Sequence, residues 1–81
     1  MIENKRILIT GGAGFIGTSL ALRLSSANEI VIFDNLHRDA FRDSPLKDHP
    51  NVTLVVGDVM DAAALKKAGE GSQVIIHLAA I

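Results

Sequence analysis

Four short apolar runs punctuate the chain: Arg6-Ile7-Leu8-Ile9-Thr10, Glu29-Ile30-Val31-Ile32-Phe33, Val52-Thr53-Leu54-Val55-Val56 and Val74-Ile75-Ile76-His77-Leu78. They are rich in β-branched residues and, unlike a half-solvated strand, do not alternate apolar with polar positions. Such runs predict strands covered on both faces, as in parallel sheets. Between the first two, Phe15 to Ser26 predicts a helix, with Ile16, Leu20 and Leu24 forming one apolar stripe. Between the last two, Asp61 caps a helix through Ala62, Leu65 and Ala68, and Gly69 and Gly71 end it. From Asn35 to Asn51 the pattern dissolves into a polar, irregular loop with room for one helical turn near Asp39 to Arg42. It holds both prolines and two of the three histidines.

The order strand, helix, strand, loop, strand, helix, strand predicts parallel pairing with right-handed crossovers. The expected class is α/β: a parallel sheet of about four strands with flanking helices. By analogy with other open parallel α/β sheets, the first and fourth strands should be neighbours, leaving Val74-Ile75-Ile76 at an edge with unpaired backbone groups.

Composition narrows the functional classes. With 81 residues there is at most one domain. The 48% apolar content excludes a disordered tail. A net charge of −1 gives no general attraction to nucleic acid or an anionic membrane. Arg38, Arg42 and Lys47 are interleaved with Asp39, Asp43 and Asp48, which describes a solvated surface. The absence of cysteine removes disulfides and thiolate metal sites. No segment has transmembrane length, and the amino terminus lacks a signal-peptide core, so a cytoplasmic location is expected.

The chemistry lies in Thr10-Gly11-Gly12-Ala13-Gly14-Phe15-Ile16-Gly17, between the first strand and first helix. That context distinguishes a dinucleotide fingerprint from a chance glycine cluster. Gly11 and Gly12 allow a sharp exit from the strand. Gly14 allows close approach of a pyrophosphate, and Gly17 allows tight packing of helix on sheet. N–H groups near Phe15 and Ile16 then face the phosphates, aided by the positive helix end. The alternative, a glycine-rich turn that binds nothing, is disfavoured by the flanking pattern and the acid downstream.

Asp34 follows Gly14 by twenty residues and ends the second strand. A carboxylate there accepts both hydroxyls of an adenosine ribose and repels a 2′-phosphate, which favours NAD over NADP; without the glycine loop before it, the same residue would read as a strand-end turn aspartate. Arg38 is close enough in sequence to reach a 2′-phosphate or to cover the adenine. Asp58 follows the third strand; it has two readings, an acceptor for the adenine amino group, preferred from its place at the carboxyl edge, or a turn or cap before the helix. His77, inside an apolar strand, reads as a satisfied core histidine rather than a general base. His37 and His49 have no partner at metal-ligand spacing, and no metal site is expected.

Taken in order, the glycine run, Asp34-Asn35-Leu36, Gly57-Asp58 and His77-Leu78-Ala79-Ala80 resemble the extended short-chain dehydrogenase/reductases. Within them, the likeness is to the NAD-dependent epimerase/dehydratase group and its UDP-glucose 4-epimerase-like nucleotide-sugar enzymes. The resemblance covers essentially the whole chain and implies a partial Rossmann fold. It further implies that the backbone at Phe15 and Ile16 holds the pyrophosphate and Asp34 the adenosine ribose. Asn35 and Leu36 would line the adenine side, with Arg38 beside them, and Asp58 and Val59 would meet the adenine ring. Leu78, Ala79 and Ala80 would pass the nicotinamide ribose. Implied partners are NAD, a nucleotide-sugar substrate and, at full length, a second copy in a homodimer.

The family's catalytic Tyr-x-x-x-Lys lies downstream of such segments, and this sequence has no tyrosine. No catalytic residue is therefore assigned within 1–81. The chain is expected to be the amino-terminal part of one NAD-binding domain of a longer enzyme, and to bind NAD weakly by itself. Two other readings stay open: a catalytically inactive NAD(P)-binding or sensing module, and a reductase of the same superfamily acting on a non-sugar carbonyl.

Overall fold

The computed structural model describes residues 2–36, 41–42 and 44–78. The elements in chain order are β1 (Arg6–Thr10), α1 (Phe15–Leu24), β2 (Glu29–Asp34), a 3-10 helix (Pro45–Asp48), β3 (Val52–Val56), α2 (Ala62–Ala68) and β4 (Val74–His77). The four strands form one sheet in the order β3-β2-β1-β4. Every pairing is parallel, with Thr10 beside both Phe33 and His77 and Asp34 beside Val56. The result is the partial Rossmann-type α/β arrangement that the strand and helix order predicts.

The unbroken apolar runs follow from this order. β1 and β2 occupy the centre, so consecutive residues Ile7, Leu8 and Ile9, and Ile30 to Phe33, are all buried although they point to opposite faces. One face packs Ile7, Ile9, Ile30 and Ile32 against Ala13, Ala21, Phe41 and Leu46. The other packs Leu8, Val31 and Phe33 against Ala68, with Val55, Val59, Ala64 and Leu65 around them. β3 and β4 flank this centre and are only half covered. β4 is an edge, as expected, and Ile75 is 63% exposed on it.

Four expectations are corrected. The buried line of α1 is not Ile16, Leu20 and Leu24 but Gly17, Thr18 and Ala21. Ile16 is 73% exposed, while Leu24 packs at the margin of the core. The cause is distance: a Cβ at Gly17 would lie 2.4 Å from the Gly12 Cα, so only small residues fit between this helix and the loop beneath it. The helix also stops at Leu24 rather than Ser26; Ser25 is its C-cap, with its N–H donating to the Ala21 carbonyl and its hydroxyl to the Leu22 carbonyl.

The segment after Asn35 is not wholly irregular. Ser44 accepts a bond from the Leu46 N–H and caps the 3-10 helix, and Phe41 and Leu46 enter the core. Half of the turn expected near Asp39 to Arg42 falls outside the described residues. His77, finally, is exposed rather than in the core. β4 is an edge strand, and the histidine lies over Thr10 with its Nδ1 2.6 Å from the buried Thr10 hydroxyl.

The ends of the elements follow sequence chemistry more closely. The Asp61 carboxylate accepts from the Ala64 N–H at 3.2 Å and starts α2. Gly69 ends it, with its N–H bonded to the Leu65 carbonyl. At the opposite end of the sheet Asn28, buried, ties three segments together. Its Oδ1 accepts from the Lys5 N–H, and its Nδ2 donates to the carbonyls of Ile2 and Leu24.

Candidate functional site

At the carboxyl end of β1 the chain turns through Gly11, which has φ +72°, a left-handed conformation that a side chain resists. The turn is held from several directions. The Gly11 N–H donates to the Phe33 carbonyl at 2.9 Å, and the Gly14 N–H donates to the Gly11 carbonyl at 3.3 Å. The Ala13 N–H donates to Asp34 Oδ2 at 3.0 Å. The Thr18 hydroxyl, one turn into α1, donates back to the Gly12 carbonyl at 3.3 Å.

The glycines of the loop divide into two kinds. Gly12 and Gly17 serve the fold: a Cβ at Gly12 would lie 2.7 Å from Ile32 Cγ2, and one at Gly17 would meet the loop backbone. The sharp exit from the strand therefore belongs to Gly11, while Gly12 meets a packing constraint. Gly14 is different. A Cβ there would meet only the Gly11 carbonyl at 3.5 Å, an ordinary contact, and its φ of −77° suits any residue. The fold does not require glycine at position 14.

Gly14 is also the N-cap of α1 and supplies no side-chain bond to the first turn. The first N–H groups of a helix have no intrahelical acceptor. Those of Phe15 and Ile16 bond to nothing else among the described residues. The Phe15 and Ile16 side chains are 87% and 73% exposed, so backbone rather than side chain closes this end of the helix. Free N–H groups with the positive helix end behind them can receive an anion.

Asp34 stands beside this loop at the end of β2 and is buried. Besides holding Ala13, its carboxylate accepts from the Leu36 N–H through Oδ1 at 2.7 Å. That bond supports Leu36 at φ +63°, an uncommon conformation for a residue with a side chain. Leu36 also packs at the edge of the core. Asn35 lies between them; Arg38 is outside the described residues.

The exit from β3 closes in next. The Gly57 N–H donates to the Asp34 carbonyl at 3.0 Å, and Gly57 presses on the Phe33 ring, where a Cβ would come within 2.6 Å. Asp58 follows, exposed, with Oδ1 accepting from the Met60 N–H at 2.9 Å and its carbonyl accepting from the Asp61 N–H. The turn-forming reading of Asp58 is therefore realised. Val59 is half-buried beside the core. On the other side of β1 the Leu78 N–H donates to the Thr10 carbonyl at 2.9 Å, while Ala79 and Ala80 lie outside the described residues.

The sheet thus brings Gly11 to Gly17, Asp34 to Leu36, Asp58, Val59 and Leu78 to one edge, the carboxyl ends of the strands. In open α/β sheets ligands bind at that edge. The residues present fit a dinucleotide there. The Gly14 surface leaves room, the helix end offers donors, and an ionised carboxylate has about four acceptor positions, of which Asp34 uses two. Sequence reasoning missed the Thr10–His77 bond and the Thr18 hydroxyl, both of which hold the loop in place. No group of His, Cys, Asp and Glu suited to a metal ion occurs among the described residues, and no helix among them is long and apolar enough to cross a membrane.

Comparison with known proteins agrees with this fold. Residues 8–81 match the model of the 3-beta hydroxysteroid dehydrogenase/isomerase family. The dTDP-L-rhamnose 4-epimerase of Burkholderia thailandensis is 42% identical over 85 residues, covering 99% of this chain and 23% of that enzyme. The UDP-N-acetylglucosamine 4-epimerase from Methanobrevibacter ruminantium, solved in complex with UDP-N-acetylmuramic acid, superimposes with a TM-score of 0.87 at 34% identity, over 99% of this chain and 26% of that one. The Bordetella bronchiseptica enzyme WbmG, solved in complex with NAD, gives a TM-score of 0.85 at 30% identity, over 98% of this chain and 26% of its own. The chain spans about a quarter of the length of each of these relatives.

Proposed function

Because the chain belongs to the 3-beta hydroxysteroid dehydrogenase/isomerase family, we propose that residues 1–81 form the adenosine and pyrophosphate half of an NAD site. They are then the amino-terminal part of a single Rossmann domain in a nucleotide-sugar epimerase or dehydratase. The observation that carries this reading is the direct bond between the glycine loop and Asp34, which sets an anion site and a ribose acceptor side by side. The Phe15 and Ile16 N–H groups hold the pyrophosphate, and Asp34 accepts the ribose hydroxyls. Asn35, Leu36 and Arg38 line the adenine side, with Asp58 and Val59 at the ring. Leu78, Ala79 and Ala80 pass the nicotinamide ribose.

Bound NAD supplies a hydride acceptor and, once reduced, a hydride donor. In this reading the residues of this chain bind and orient the cofactor, and no acid or base for the sugar is assigned among them. Asp34 discriminates against NADP, since a 2′-phosphate would face a fixed carboxylate. A cytoplasmic, homodimeric full-length enzyme accords with this role. The likeness to an epimerase that acts on a nucleotide sugar favours a sugar substrate. The family's own description favours the second reading, oxidation or reduction of a non-sugar alcohol or carbonyl.

The test is to incubate the full-length product and NAD with UDP- and dTDP-hexoses and, in parallel, with a 3β-hydroxysteroid. Epimerised or 4-keto-6-deoxy sugar nucleotides are expected. Steroid oxidation alone would support the second reading, and no turnover of any substrate would leave an NAD-binding module.

A further inference from the structure

We infer that Asp34 is the positioning residue of the phosphate-binding loop as well as the acceptor for the ribose, so that the two recognitions are energetically coupled through one carboxylate. This rests on the adenosine-site reading above and deepens it. The observation is the division of the carboxylate: Oδ2 takes the Ala13 N–H at 3.0 Å, and Oδ1 takes the Leu36 N–H at 2.7 Å. Each oxygen keeps capacity for one further donor. The ribose diol can therefore add to these bonds without displacing them.

The consequence for the loop is specific. Ala13 lies midway between Gly11, which turns at φ +72°, and Phe15, the first residue of α1. Fixing the Ala13 N–H fixes the Gly12–Ala13 peptide, two residues ahead of the helix, and so restrains the direction in which the Phe15 and Ile16 N–H groups are presented. Bonds from backbone N–H to an ionised carboxylate are stronger than neutral ones. The site around Asp34 is buried, so water is a poor substitute when the carboxylate is removed. Leu36, held at φ +63° by the other oxygen, loses its support in the same event. A substitution made only to admit a 2′-phosphate would also release the loop that binds the pyrophosphate. Exchange of Asp34 alone then lowers affinity for NAD and NADP together instead of exchanging one preference for the other.

The test compares ADP with 2′,3′-dideoxy-ADP, which keeps adenine and diphosphate but lacks the diol. Both are titrated calorimetrically into the full-length protein and into its Asp34→Ala and Asp34→Asn variants. A carboxylate that serves only the ribose leaves dideoxy-ADP binding unchanged in the variants, and that result overturns the inference. The coupling predicts about a tenfold or greater loss of dideoxy-ADP affinity on Asp34→Ala. Should both variants fail to fold, amide hydrogen exchange in the unsubstituted, ligand-free protein decides: Ala13 and Leu36 must exchange at least about tenfold more slowly than Phe15 and Ile16, and equal rates overturn the inference. Failure of the unsubstituted protein to bind ADP at all instead refutes the proposed function, and the inference falls with it.

Discussion

Alanine at Gly14 and alanine at Gly17 separate binding from folding within one turn of chain. At Gly17 the added Cβ would sit 2.4 Å from the Gly12 Cα and 2.8 Å from the Gly11 carbonyl oxygen. These are backbone atoms of a loop already tied down by Phe33, Asp34 and Thr18, so they cannot move aside as a flexible side chain would. Overpacking of this kind costs up to about 3 kcal/mol. Replacing a helical glycine by alanine returns about 1 kcal/mol. A net loss of about 2 kcal/mol remains, a large fraction of the stability of a small domain.

At Gly14 the added Cβ makes an ordinary 3.5 Å contact, and φ is −77°. Loss of a glycine N-cap costs up to about 1 kcal/mol, and the reduced freedom of the unfolded chain returns about 0.4–1 kcal/mol. The net change in stability is close to zero. On the proposed reading, however, the methyl would occupy the surface that the pyrophosphate approaches. The assay is urea unfolding of the full-length protein and both variants, paired with calorimetric titration of NAD. Gly17→Ala should lower the unfolding free energy by about 2 kcal/mol. Gly14→Ala should unfold within about 0.5 kcal/mol of the parent yet bind NAD at least about tenfold more weakly. A Gly14→Ala protein with parental NAD affinity, or one as unstable as Gly17→Ala, would refute the division of the two glycines.

Other substitutions probe the supports of the site. Asn28→Ala leaves the Lys5 N–H and the Ile2 and Leu24 carbonyls without their side-chain partner; urea denaturation should show a loss of about 2–3 kcal/mol, and a change below about 0.5 kcal/mol would contradict the network. A double-mutant cycle of Thr10→Val with His77→Ala should return a coupling of about 0.5–1.5 kcal/mol for their bond, whereas additive effects would mean the two do not interact. The Arg6–Glu29 ion pair is partly solvated, with side chains 34% and 56% exposed. Its cycle should give less than about 1 kcal/mol and shrink with added salt; a larger, salt-insensitive value would be evidence against a solvent-screened pair.

Much of this arrangement is legible in the sequence because it depends on local rules. The runs Arg6–Thr10 and Val52–Val56 become β1 and β3 with the bounds their composition predicts. Asp61 caps α2 and Gly69 closes it, as short-range side-chain and backbone chemistry requires. The glycine loop is legible because its spacing is itself the motif. What escapes is decided by partners distant in sequence. Phe41 and Leu46 look like isolated apolar residues in a charged stretch, and only the proximity of α1 and β2 makes them core. The inward face of α1 is invisible to a hydrophobicity pattern because close packing, not apolar area, selects Gly17 and Ala21. His77 reads as buried from its neighbours in sequence, but β4 is an edge, which leaves it exposed over Thr10. The structural bonds of Asp34 cross 21 residues to Ala13, and no periodicity encodes them.

The central claim, an adenosine site shaped for NAD, meets its most direct test in one pair of calorimetric titrations of the full-length protein with NAD and with NADP under identical salt and pH. The carboxylate of Asp34 beside the glycine loop predicts saturable binding of NAD and binding of NADP at least about tenfold weaker. No heat of binding with NAD, or equal or tighter binding of NADP, would contradict it.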